Sequence, residues 1–330
     1  MSEIATLSTD DEKLKSRPSQ NFWAELYRNL RRNRSARVGA AILGFLVIIA
    51  VFASVIATND PIDSRLGKEP GAKVRKPPCI VMAGCPDTNH WMGLDLNGRD
   101  VFSRLVYGTR ISLTVGATSV VFAMVIGVLL GLVAGYAGGW LDNLIMRCMD
   151  VVLAFPSLLL AIVFVTILEP RLKGTFFYKL FDSMFGEPRL FIVLLAIAIV
   201  FIPIYARVTR ASVLSVKENE FIMAVRALGA SPTRIVFRHI MPHALTPLIV
   251  QATLGIGTAI LDSAALSFLG LGAQPPTPEW GAMLSEARAY VFTAPHIVFF
   301  PGFFIMLTVL GFNLLGDGLR DALDPRLNRN

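Results

Sequence analysis

Stretches that are apolar on every face alternate with shorter polar ones along the whole chain. Six such runs stand out, at 38–58, 111–137, 151–168, 190–206, 244–271 and 297–315. A hydrocarbon layer of about 30 Å needs about 20 helical residues at about 1.5 Å each, so each run predicts a membrane-spanning helix. The second run contains Gly116, Gly127, Gly131 and Gly135, small residues that let a neighbouring helix come close. The third is entered through the half-polar DNLIMRCMD, in which Arg147 and Asp150 suggest a local helix pair and Asp142 a helix cap. The first run follows 37 polar residues and outlasts the apolar region of a cleaved signal, so it is expected to stay as an anchor.

Polar positions at the ends of the runs give the direction of insertion. Arg28, Arg31, Arg32, Arg34 and Arg37 crowd the ten residues before the first run, against Arg65, Lys68 and Lys73 in the fifteen after it. Basic residues flanking spans favour the cytoplasmic side. The amino terminus is therefore expected inside, and six spans return the carboxyl terminus inside too. The resulting plan has a basic cytoplasmic segment at 1–37, a first span at 38–58 and an outer loop at 59–110. A five-helix core follows at 111–320 and a cytoplasmic tail at 321–330.

One polar interruption has helical structure of its own. In 210–243, between the fourth and fifth runs, Phe221, Ala224, Val225 and Leu228 share one helix face. Gly229 is placed to end that helix. Ser231 and Pro232 then read as an N-cap and first turn, and Pro242 as punctuation before the fifth run. Such an element either lies at the headgroups, its arginines meeting anionic lipid, or is a handle seated in a partner's groove.

Composition agrees with lipid as the main solvent: 54% of the 330 residues are apolar and 17% charged. Soluble domains sit nearer about 25% charged. The net charge of +7 orients loops, and no nucleic-acid module accompanies it. Of the three cysteines, Cys148 falls in a predicted span and reads as a small buried hydrophobe, while Cys79 and Cys85 form a candidate disulfide if their loop faces an oxidising compartment. His239 and His243 lack the companions that a metal site needs.

The interrupting segment resembles the cytoplasmic coupling loop of binding-protein-dependent ABC importers, whose pattern is Glu-Ala-Ala, three residues, Gly, nine residues, Ile-x-Leu-Pro. Ala224, Gly229 and Pro242 match. Met223 stands for the Glu, Val225 for the second Ala, His239 for the Ile and Met241 for the Leu, with Glu220 one turn earlier. Further segments fit the peptide and nickel branch in family order: Gly93-Leu94-Asp95-Leu96-Asn97-Gly98-Arg99-Asp100, with Leu94 for the usual Thr; Ala154-Phe155-Pro156; Leu266-Ser267-Phe268-Leu269-Gly270-Leu271-Gly272; Pro275-Pro276-Thr277-Pro278-Glu279-Trp280-Gly281; and Gly316 to Pro325. Together they cover about residues 90 to 326. The set is similar to the second, C-type permease subunit of oligopeptide and dipeptide importers.

The resemblance implies an all-α integral membrane protein with the type I ABC importer permease fold in the bacterial inner membrane. It implies coupling to ATPase subunits through Glu220, Ala224, Arg226, Leu228, Gly229, Ala230, Ser231, Arg234, His239 and Pro242. It also implies a second homologous permease subunit, two ATP-binding subunits carrying ATP and Mg, and a periplasmic substrate-binding protein. The chain has no G-x-x-x-x-G-K-[ST] loop, so it is expected to be a non-catalytic transport subunit binding no cofactor or metal. Its expected task is passing di- or oligopeptides inward, with nickel or another small solute as the alternative.

Asp262 is the clearest charge within a span, lining a wet pathway, sitting at the permease–permease seam, or satisfied inside the bundle. Arg99, Asp100 and Trp280, in outer loops, are candidates for docking the binding protein or forming the outer gate, or for plain caps and anchors. VFSRLVYG, after Asp100, is expected to form an interfacial helix. A proton- or sodium-driven carrier is the rival class, but Asp262 is the single credible relay member and no inverted repeat is evident.

Overall fold

The computed structural model describes residues 28–79 and 90–323. Among them the secondary structure is helical apart from an isolated antiparallel bridge between Leu94 and Asp100. The helices used below are α1 Arg34–Val51, α2 Val101–Ala137, α3 Gly139–Leu153, α4 Ser157–Leu172, α5 Phe176–Phe185, α6 Arg189–Lys217, α7 Glu220–Ala227, α8 Pro232–Ile235, α9 Met241–Phe268, α10 Trp280–Ala287 and α11 His296–Leu323.

Five helical stretches are long and apolar enough to cross a membrane, and the pair α3–α4 makes a sixth if counted as one broken span. That pair is bent by 97° at Ala154-Phe155-Pro156, where a continuous span at 151–168 is expected from hydropathy. Pro156 has no N–H for the helical ladder and disfavours helical backbone at Phe155. The apolar run is real, but it belongs to α4.

α2 and α6 form the centre. Gly127, Gly131 and Gly135 lie along α6, and a Cβ on Gly127 would stand 2.6 Å from the Cβ of Tyr205. A Cβ on Gly131 would stand 2.6 Å from the Cβ of Thr209. Both distances are too short for carbon atoms, so backbone contact there depends on glycine, as small-residue packing of spans requires. α9 packs across both helices and against α11, and α1 lies outside α11. Asn33 caps α1 through Ala36 N–H and donates to Asp321, tying the two ends of the fold together.

α2 has 37 residues, so it is about 55 Å long and exceeds the bilayer core. Its first turns are VFSRLVYG. That segment is therefore the outer end of the second span rather than a separate interfacial helix. α3 is bound to the inner end of α6 by Asp142–Arg210 and Asp150–Arg207. Asp142 thus serves as an ion-pair partner instead of a cap, and Asp150 reaches across helices instead of to Arg147. Cys148, on the same helix, is free and exposed, against the expectation of burial.

Candidate functional site

α7 and α8 form the helix–break–helix read from the sequence. The Gly229 N–H donates to Arg226 C=O (3.0 Å) and the Ala230 N–H to Val225 C=O (3.3 Å). These two bonds close α7 in a Schellman turn, whose left-handed position is Gly229 at φ +81°. No atom crowds that position, so the requirement for glycine there is one of backbone conformation. Ser231 then accepts from Arg234 N–H and starts α8 with Pro232 in its first turn.

The two faces of this element differ sharply. Ile222, Ile235 and Ile240 are buried in the central cluster, with Val225 and Ala230 packed beside them. The Phe221 ring sits 5.9 Å from that of His243, bracing α7 on the start of α9. Outside, Leu228 is 88% exposed, Met223 56% and Phe237 54%. Glu220, Ala224, Arg226, Gly229, Ser231, Arg234 and Pro242 are exposed as well, while Ala230 and His239 are half-buried. In the periodic stripe, Val225 turns inward, whereas Phe221, Ala224 and Leu228 face out.

No break separates α8 from the fifth span. Pro232–Phe268 runs as one helical path, with a π-turn at Val236–Ile240 directly before Pro242. Wider turns of this kind accommodate a residue that cannot join the ordinary ladder. Pro242 therefore does not end the second helix, as its position suggests, and Arg234 is carried on the same rod as Asp262. Those residues are 28 apart, about 42 Å along a helix.

Asp262 borders a cavity of about 190 Å³ between α9, α6 and the α3–α4 bend. Gln251, Leu254, Gly255, Thr258 and Asp262 supply the α9 wall, following helical spacing. Gln251 and Thr258 went unmarked in the sequence reading, although one polar stripe through an apolar run was visible there.

The outer end is different in character. Arg99 donates to Asp95 (2.6 Å) and to both oxygens of Glu286 (2.9 Å), and Arg104 reaches Glu286 (3.2 Å) and the carbonyls of Pro61 and Pro276. Asp100 caps α2 through Ser103 N–H and meets His90, whose other ring nitrogen faces Glu69. Glu279 caps α10 through Ala282 N–H and accepts from Ser112. Burial pushes its carboxyl above the usual range, against the N–H groups of Ala282 and Gly281 and the hydroxyls of Ser267 and Ser112. Trp280 is fully buried over Gly108 and donates to Leu105 C=O. Arg99 and Trp280 are thus interior groups that knit α2 to α10, and Asp100 is a buried cap of α2. Glu286, Arg104 and His90 complete the knot and are not singled out by sequence. Cys79 is disulfide-bonded, and Cys85 lies outside the described residues. Among the described residues no cluster of His, Cys, Asp or Glu could hold a metal ion.

The family model described as "binding-protein-dependent transport system inner membrane component" matches residues 127–329, and that for the "N-terminal TM domain of oligopeptide transport permease C" matches 21–78. The chain is 48% identical over 305 residues to the dipeptide transport system permease protein DppC of Alkalihalophilus pseudofirmus, covering 92% of this chain and 90% of that one. It is 42% identical over 328 residues to the glutathione transport system permease protein GsiD of Pectobacterium atrosepticum, covering 98% and 96%. In structure it resembles an inward-facing form of the MetNI methionine ABC transporter at 20% identity, with TM-score 0.50 over 68% of this chain and 98% of that one, a likeness of fold. A multi-pass protein of the bacterial inner membrane with the type I importer fold, the chain belongs to the binding-protein-dependent ABC importer permeases.

Proposed function

We propose that this chain is the C-type permease of a peptide importer and that residues 218–240 receive the stroke of its ATPase subunits. The names of the relatives support peptides as cargo, with dipeptides and glutathione-like peptides foremost. The observation that carries the coupling role is the two-faced loop itself. Three isoleucines hold it to the bundle while Leu228, Phe221 and Met223 project outward beside Arg226 and Arg234. A headgroup-lying helix would need no bend fixed by a left-handed glycine; a helix seated in a groove uses such an apolar stripe with flanking charge.

Because α8 is continuous with α9, tilting the loop tilts the fifth span and with it the Asp262 wall of the cavity. This gives alternating access a mechanical route: closure of the ATPase pair pulls the loop, and the rod swings the pathway face. In this reading hydrolysis of ATP with its Mg takes place on two separate subunits, and this chain supplies no catalytic group. A homologous permease forms the other half of the passage and a periplasmic binding protein delivers the peptide. The termini and the loop lie in the cytoplasm, following the arginine bias around the first span.

Reconstitution in proteoliposomes with the partner permease, the two ATP-binding subunits and the binding protein tests the reading. Dipeptide uptake should stop when either ATP or the binding protein is omitted. Uptake driven by a pH gradient alone would overturn it in favour of an ion-coupled carrier.

A further inference from the structure

Within the cavity, Asp262 is a carboxylate without a counter-charge. Among the described residues it has no ion-pair or hydrogen-bond partner, although it lies inside a spanning helix. Its surroundings are neutral: Thr258 and Gln251 on its own helix, Ser157 and Phe155 at the bend, and Phe201 on α6. Below it, the hydroxyl of Tyr205 is fully buried without a partner and abuts Gly255, which forms part of the cavity wall. A lone intramembrane carboxylate is unfavourable unless something cationic visits it.

We propose that Asp262 is an intramembrane subsite for the α-ammonium group of the peptide in transit. Three features select this class of ligand. A metal ion is excluded by the donor set, since the cavity offers one carboxylate and no thiol or imidazole. A proton relay would need a second titratable group in the lining, and among the described residues none lines the cavity. A peptide fits the upper part of the polar stripe, from Thr258 to Asp262. Thr258 stands four residues from Asp262, about 6 Å along the helix, close to the span of an extended dipeptide at about 7 Å. Its amide group can meet the Thr258 hydroxyl while its side chains rest on apolar wall. The ammonium group is common to peptides of any sequence, so the subsite admits varied side chains. The wall belongs to the same rod as the coupling loop, so the stroke that moves Arg234 also moves this carboxylate.

The inference rests on the peptide-importer reading, and the experiment separates the two. Reconstituted complexes carrying wild type, Asp262→Asn or Asp262→Glu are compared for dipeptide uptake and for ATPase stimulation by the binding protein. Losing one charge-assisted contact should lower uptake of a free-amine dipeptide about tenfold or more in Asp262→Asn. Stimulated ATPase should stay within about twofold, and Asp262→Glu should recover most of the uptake. In addition, a Thr258→Cys complex that also carries Cys148→Ser should be protected from a thiol reagent by a millimolar dipeptide but not by its N-acetyl form, and Asp262→Asn should abolish that protection. Unchanged uptake in Asp262→Asn, or equal protection by both peptides, would overturn the subsite and leave the importer reading standing. Loss of the partner permease from purified Asp262→Asn complexes would assign the carboxylate to the subunit seam and also overturn it. A wild-type complex that hydrolyses ATP yet imports no peptide would instead overturn the importer reading, and the subsite with it.

Discussion

At the scale of single residues, the outer knot shows how charge can be kept in an interior. Asp95 and Glu286 face Arg99 and Arg104, two against two, and Nη1 of Arg104 donates to the carbonyls of Pro61 and Pro276. Removing one member strands the rest. Arg104→Leu should cost the assembled permease about 3–5 kcal/mol, read as a large fall in thermal unfolding temperature in detergent. Arg104→Lys should recover little of that loss, since one ammonium cannot reproduce the guanidinium fork. Glu279 gives a pH prediction. Burial raises its folded pKa above its unfolded value near 4.5, so the folded protein holds that proton more tightly. Its contribution is therefore fullest below the unfolded value and is lost as pH rises through the raised one. Stability should fall with rising pH by at most about 1.4 kcal/mol per pH unit from this group, read as a falling unfolding temperature, and Glu279→Gln should flatten that slope. A slope unchanged by the substitution would show that Glu279 does not set it.

At the scale of elements, two glycine positions do separate jobs. Gly229 has open space and a left-handed backbone, so Gly229→Val should strain the turn by about 1–2 kcal/mol without any clash. The complex should assemble, while ATPase activity loses its dependence on the binding protein and uptake falls severalfold. Normal, fully coupled uptake would contradict the role given to this bend. Gly131 has an ordinary helical backbone and no space. Gly131→Leu should disrupt the α2–α6 contact, costing about 1–3 kcal/mol or more, and reduce the amount of folded permease recovered from membranes. The comparison also shows what could be read in advance. Both glycines, the Ser231-Pro232 start and the apolar runs follow from local chemistry, and they were legible. The outward turn of Phe221 and Leu228 was not, because periodicity identifies a face without saying which way it points. The 97° bend hides inside an unbroken apolar run, and the continuity of α8 with α9 depends on a π-turn that no residue pattern announces. Likewise, the loop motif around Arg99 and Asp100 reads as surface turn chemistry. Its burial depends on Glu286, some 187 residues away in sequence.

At the scale of the whole molecule, the proposed function makes the parts one transmission. A cytoplasmic loop with an exposed apolar face is fixed to a rod, the rod crosses the membrane, and its upper half walls a cavity with one uncompensated carboxylate. In that proposal the α2–α6 pair gives the rod something rigid to move against, and the outer knot keeps α2 and α10 together. The most direct test of this account is the modification rate of Leu228→Cys, in a chain with Cys148→Ser, by a membrane-impermeant maleimide in inside-out vesicles with and without the ATP-binding subunits. The account predicts rapid labelling from the cytoplasmic face and strong protection once those subunits are bound. Labelling confined to the external face, or a rate indifferent to the ATP-binding subunits, would contradict it.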